Sequence, residues 1–174
     1  MLMLKVIGCI LIGTASVGLA ISFGVELREH LALLYDLRQL LLDISQEAQY
    51  SLLPMERILG TRIRSKDLRL MGICGSLSRL LAEKNGEGGA VLWKQVFDGE
   101  RKSLGLTETE ADIIENAGKA FFGKNTEENA KNLSLYLERL DYVIEQTRSE
   151  QKEKQRVLQT VSVMGGFMLM ILLL

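Results

Sequence analysis

Two stretches of this chain carry no charged residue, and they flank everything else. Val6 to Val25 contains no Asp, Glu, Lys or Arg and is bounded by Lys5 and Glu26. Val157 to Leu174 is the second such run, and its last five residues are purely apolar. A helix rises about 1.5 Å per residue, so about 20 residues cross a hydrocarbon core of about 30 Å. The first run meets that length, and the second lies at its lower edge. The mean hydropathy of +0.12 hides the division, because two apolar ends are averaged with a charged middle. The expected organisation is a transmembrane helix over 1–25, a helical bundle domain over 26–156 and a second transmembrane helix over 157–174.

A cleaved signal fits the first run less well. Its n-region would hold one lysine, the apolar stretch exceeds the usual length and no A-x-A site follows. Val6-Ile7-Gly8-Cys9 resembles a lipoprotein cleavage box, but too few residues precede Cys9 for a charged region and an apolar region. Orientation follows from Lys and Arg near the runs. Outside them stand Lys5 and the α-amine. On the middle domain stand Arg28 and Arg38 near the first, and Arg148, Lys152, Lys154 and Arg156 near the second. The middle domain is therefore expected in the cytoplasm, with basic flanks suited to anionic lipid. The 21 basic and 22 acidic residues nearly balance, so no nucleic-acid partner and no acidic substrate is indicated. Cys9 and Cys74 are expected to be free, inert thiols.

Pro54 is the only proline, so few breakers interrupt the middle domain. Leu27, Leu31, Leu34, Leu37, Leu41, Ile44 and Ala48 recur at steps of three and four, the spacing of one helix face. Leu40 and Leu42 widen that stripe. The residue before a proline avoids the α region, so this helix is expected to stop before Pro54, which then opens a short helix to about Leu59. A third helix is expected from Lys66 to Lys84, with Leu70, Ile73 or Cys74, Leu77, Leu80 and Leu81 inward. Asn85-Gly86-Glu87-Gly88-Gly89 reads as a loop. Val91, Leu92, Trp93, Val96 and Phe97 mark a fourth helix. Thr107 with Glu110 reads as a capping box opening a fifth, with Ala111, Ile114, Ala117 and Phe121 inward and Gly123 as its stop. Asn125 with Glu128 is a second capping box. From Glu127 the stripe Leu133, Leu137, Leu140, Ile144 and Thr147 predicts one helix running on into the second uncharged run. The expected fold class is all-α: a compact antiparallel bundle of about six helices with a transmembrane helix at each end.

Catalytic patterns are weak. His30 is the only histidine, and Glu26 one turn earlier makes no metal site without a further ligand. Gly118-Lys119 fails as a phosphate loop, because Ile113 and Ala120 stand where Gly and Ser or Thr are required. No G-x-S-x-G is present. Glu145, Arg148, Glu150, Lys152, Glu153 and Lys154 alternate in sign as a solvated face does. Asn132-Leu133-Ser134 matches a glycosylation sequon, set mid-helix in a domain expected in the cytoplasm. The reading is of no enzyme, no cofactor, no metal and no small-molecule substrate. In the first run Ser16, Ala20 and Gly24 recur every four residues, and Gly165-Gly166 stand in the second. Small residues at that spacing allow close helix contact.

Met1 to Lys5 leads directly into an uncharged run. Leu37-Arg38-Gln39-Leu40 sits in the first helix, and Glu47-x-x-Tyr50-x-x-x-Pro54-Met55 marks its end. Trp93 follows, then Leu106-Thr107 with Ile113, Gly118-Lys119 and Gly123, and finally Met164 to Leu174 with its Gly-Gly and leucine-rich ending. In this order the features resemble the stage III sporulation protein AB family. Met55 stands in place of the family's usual leucine, Gln49 and Ser51 depart around Tyr50, and Gly60–Arg69 matches poorly. The resemblance implies a fold similar to the cytoplasmic bundle of type II secretion F platform proteins. It implies residence in the outer forespore membrane, facing the mother-cell cytoplasm. It also implies a scaffold role in the sporulation secretion-like channel complex between mother cell and forespore, coupling a secretion-type ATPase to the membrane channel. The expected partners are other proteins of that complex, its ATPase and membrane lipid. Glu47, Tyr50, Pro54, Gly118 and Gly123 are the expected partner-binding residues. The alternative is a two-span membrane receptor whose helical domain senses a signal or ligand.

Overall fold

The computed structural model describes residues 28–51, 53–83, 86–123 and 126–173. Among them there are six helices and no strand. Helix α1 covers 28–50. A short α2, Met55–Arg57, passes into a π-helical stretch, Ile58–Arg62. Then come α3 (Leu68–Ala82), α4 (Gly89–Leu104), α5 (Glu108–Phe121) and α6 (Thr126–Leu173). The run expected to span over 1–25 lies outside the described residues, as do Leu27 and the Asn125 of the second capping box. Helix α6 continues through Val157 to Leu173, yet among the described residues no helix is long and apolar enough to cross a membrane.

The chain divides into two compact units, one of 32–144 and one joining 1–31 with 145–174. In the first, the helical spacing of the sequence becomes a core. Leu34, Leu37, Leu40, Leu41 and Ile44 of α1 are 0–2% exposed. Leu70, Ile73, Cys74 and Leu77 of α3, Leu92, Trp93 and Phe97 of α4, and Leu133, Leu140 and Ile144 of α6 join them in burial. Both members of the pair Ile73 and Cys74 face inward, and Leu33 adds to the α1 face. Ala48 and Val91 are exposed instead, each near a helix end where the stripe runs out of neighbours. Fully burying one such aliphatic side chain is worth about 1.5–3 kcal/mol. The bidentate pair of Arg38 with Asp141 ties α1 to α6, one arm measuring 2.9 Å.

Local chemistry sets the ends. Pro54 is the N-cap of α2, with extended backbone (ψ 152°), one position earlier than the first-turn placement expected. The helix does not end near Leu59 as expected, because a π-helical stretch carries it to Arg62. Asp67 caps α3, accepting the Arg69 amide at 2.8 Å. Gly105 ends α4 in the left-handed conformation (φ 66°), where a Cβ is unfavourable. The Thr107–Glu110 capping box forms as read. The Thr107 amide donates to Glu110 Oε2 at 2.8 Å, and the Glu110 amide donates to Thr107 Oγ1 at 3.4 Å. Of the second unit, the described part is the start of α1 and 145–173 of α6. Val157, Val161, Met164 and Met168 are 56–70% exposed along that helix.

Candidate functional site

The contact between α4 and α5 is built around one indole. Trp93 is 1% exposed, and its Nε1 donates to the Ile114 carbonyl at 2.9 Å. Phe97 and Phe121 tilt against it at centroid distances of 4.7 and 5.4 Å. Such pairs add about 0.5–1.5 kcal/mol beyond burial. Gly118 is buried beneath the ring, where an added Cβ would stand 2.1 Å from Trp93 Cδ1. Outside this cluster Lys94 and Lys119 reach Glu115 at 2.9 and 3.3 Å. Their hydrogen bonds, Lys94's first, hold the Glu115 carboxyl below the usual carboxylate range.

The expected partner-binding residues fall into different environments. Tyr50 ends α1 and is 86% exposed; Pro54 is exposed and Glu47 half-buried. Gly123 is exposed, its carbonyl accepting from Asn129 Nδ2 at 2.9 Å. Gly118 does not stand on a surface at all, since its place is under Trp93. The sequence offered two signals for that role: a lone tryptophan in an amphipathic stretch, and a glycine on the inward face of α5. Ser16, Ala20 and Gly24 lie outside the described residues. Gly165 lies in α6 with open space where a Cβ would project, and Gly166 follows it in the same helix.

Two surfaces of the bundle unit were not singled out by the sequence. Between α5 and α6 runs a groove of about 340 Å³ lined by Thr109, Asp112, Ile113, Leu135, Glu138, Arg139, Tyr142 and Val143. Before α3, the segment Arg62–Lys66 carries three exposed cations and leads into Leu68, 85% exposed. Among the described residues no group of three His, Cys, Asp or Glu is placed to hold a metal ion. Cys74 is buried, and burial pushes its thiol up to about 11. A thiol held protonated is a poor nucleophile.

A family model described as stage III sporulation protein AB matches residues 5–174. No curated protein and no solved structure matches the chain. The matched range takes in the bundle unit and reaches into both uncharged runs. The chain therefore belongs to the stage III sporulation protein AB family, and its role lies in stage III of sporulation.

Proposed function

We propose that the chain is a non-enzymatic scaffold of the sporulation membrane complex. The segments over 1–25 and 157–174, which carry the two uncharged runs, anchor it in the outer forespore membrane. The domain over 26–156 stands in the mother-cell cytoplasm, receives the complex's secretion-type ATPase and couples it to the channel. One observation carries this reading: the family match extends over nearly the whole chain, both uncharged runs included. The K/R asymmetry supports the orientation. Ser16, Ala20 and Gly24 would meet Gly165 and Gly166 across the paired anchors, where small residues allow backbones to approach.

The proposed ATPase contact is the end of α1, with Tyr50 as its anchor and Glu47 and Pro54 beside it, and Gly123 as a further contact. An exposed tyrosine brings a large apolar area and a hydroxyl at low entropic cost. Gly118 acts from within, holding Trp93 and so the α4–α5 pair. Recovery of the complex from sporulating cells tests the surface. Glu47→Lys and Tyr50→Ala are expected to reduce the ATPase recovered with this chain while leaving the chain at normal abundance. Undiminished recovery with both variants would remove this surface from the proposal.

A further inference from the structure

The bundle unit carries two surfaces of opposite character. In the first, Arg62, Arg64 and Lys66 are exposed and none has an ion-pair partner among the described residues. Asp67, the one carboxylate of the segment, is already committed. It accepts the Arg69 amide as helix cap, and Arg69 Nη2 donates to it at 2.7 Å. The segment is left strongly cationic. Leu68 follows at 85% exposure, and Met71, one turn further along the helix, is 37% exposed. A single exposed leucine is ordinary; here it follows three exposed cations that have no ion-pair partner among the described residues.

The second surface is the α5–α6 groove. Ile113, Leu135, Tyr142 and Val143 give it an apolar lining, with Leu135 46% and Tyr142 72% exposed. Asp112 and Glu138 bring carboxylates to it. The one cation, Arg139, lies 5.9 Å from the Tyr136 ring centroid. Aspartate and glutamate beside an apolar groove are what a cation-flanked aliphatic side chain would find complementary.

We infer that the two surfaces bind each other between copies of this chain. Leu68 of one copy enters the α5–α6 groove of the next, and Arg64 and Lys66 meet Asp112 and Glu138. Charge complementarity identifies the occupant, since the projecting surface and the groove that suits it belong to one sequence. The contact is heterologous: the first surface adjoins α4, through Arg69 Nη1 donating to the Ser103 carbonyl at 3.0 Å, and the second lies on α5 and α6. Each copy therefore offers both halves, and the assembly extends head to tail. The apolar side chain supplies the anchor and the charges supply register and salt dependence. This inference does not depend on where the chain is anchored or on the ATPase contact.

The test is sedimentation of the full chain in density-matched detergent over a wide concentration range. Wild type is expected to associate reversibly, more strongly at low salt. Arg64→Glu with Lys66→Glu, Asp112→Lys with Glu138→Lys, and Leu68→Ser alone are each expected to weaken association at least about tenfold, because like charges or a lost anchor now face the partner. All five positions affected are solvent-facing, so unchanged circular dichroism is expected. The variant reversing all four charges is expected to regain association. Wild type that stays monomeric, or a four-charge variant no better than its parents, overturns the inference. A monomeric chain that instead binds polyglutamate through Arg64 and Lys66 also overturns it and assigns the surface to an acidic partner.

Discussion

Trp93 occupies the space that a side chain on Gly118 would need. An added Cβ would stand 2.1 Å from Cδ1 and 2.4 Å from Cγ of the indole. The same ring donates to the Ile114 carbonyl one turn earlier on α5. Helix propensity alone favours alanine over glycine inside a helix by about 1 kcal/mol. Here the clash decides, because the ring is enclosed by Phe97 and Phe121 and cannot move aside without losing its hydrogen bond. Gly118→Ala is expected to destabilise the chain by about 1–3 kcal/mol, read as a lowered thermal midpoint. An unchanged or raised midpoint would mean that the α4–α5 contact has slack.

Asp67 gives a pH dependence with a definite sign. The Arg69 hydrogen bond holds its carboxyl below the ordinary value. A depressed carboxylate contributes stability above its unfolded value, near 3.9, and loses it as pH falls through the folded value. Asparagine retains N-capping ability but cannot ionise. Asp67→Asn is therefore expected to leave the helix capped and to flatten the loss of stability below about pH 4. Denaturant midpoints of both proteins between neutral and acid pH measure this; parallel curves would show that Asp67 contributes no such linkage.

Cys74 is 3% exposed, with its thiol raised to about 11 by burial alone. Alkylation at neutral to mildly basic pH is expected to leave Cys74 unmodified in the folded chain and to label it fully in denaturant. Peptide mass spectrometry resolves this site separately from Cys9. Rapid labelling of the folded chain would show that α3 opens locally on the timescale of the reaction.

The Arg38–Asp141 pair looks strong by geometry, yet its side chains are 33% and 47% exposed. Solvent-exposed pairs are typically worth about 0–1 kcal/mol. A double-mutant cycle with Arg38→Ala and Asp141→Ala is expected to give a coupling energy within that range that shrinks as salt is added. A salt-insensitive coupling of several kcal/mol would show that the pair is shielded from water.

Much of the bundle was legible because helical periodicity and capping are local. The stripe through Leu34, Leu37, Leu41 and Ile44, the Thr107–Glu110 box and the unbroken helix from Thr126 needed no tertiary information. What escaped was what only neighbours decide. The π-helical stretch through Gly60 continued past an apparent stop, where Ser78 Oγ donates to the Glu56 carbonyl at 2.6 Å beside it. Gly118 read as part of a surface because its partner, Trp93, lies 25 positions earlier in the chain. The α5–α6 groove was invisible for the same reason: Asp112 and Tyr142 are brought together only by packing.

The proposed role makes this chain a membrane-held scaffold that a sporulation complex needs. Deleting the gene in its own organism and scoring spores after engulfment tests it most directly, with complementation by the full chain and by a chain ending at Arg156. Arrest after engulfment is expected, with rescue by the full chain and none by the shortened one. Normal spore formation without the gene would contradict the role, and rescue by the shortened chain would contradict the second anchor.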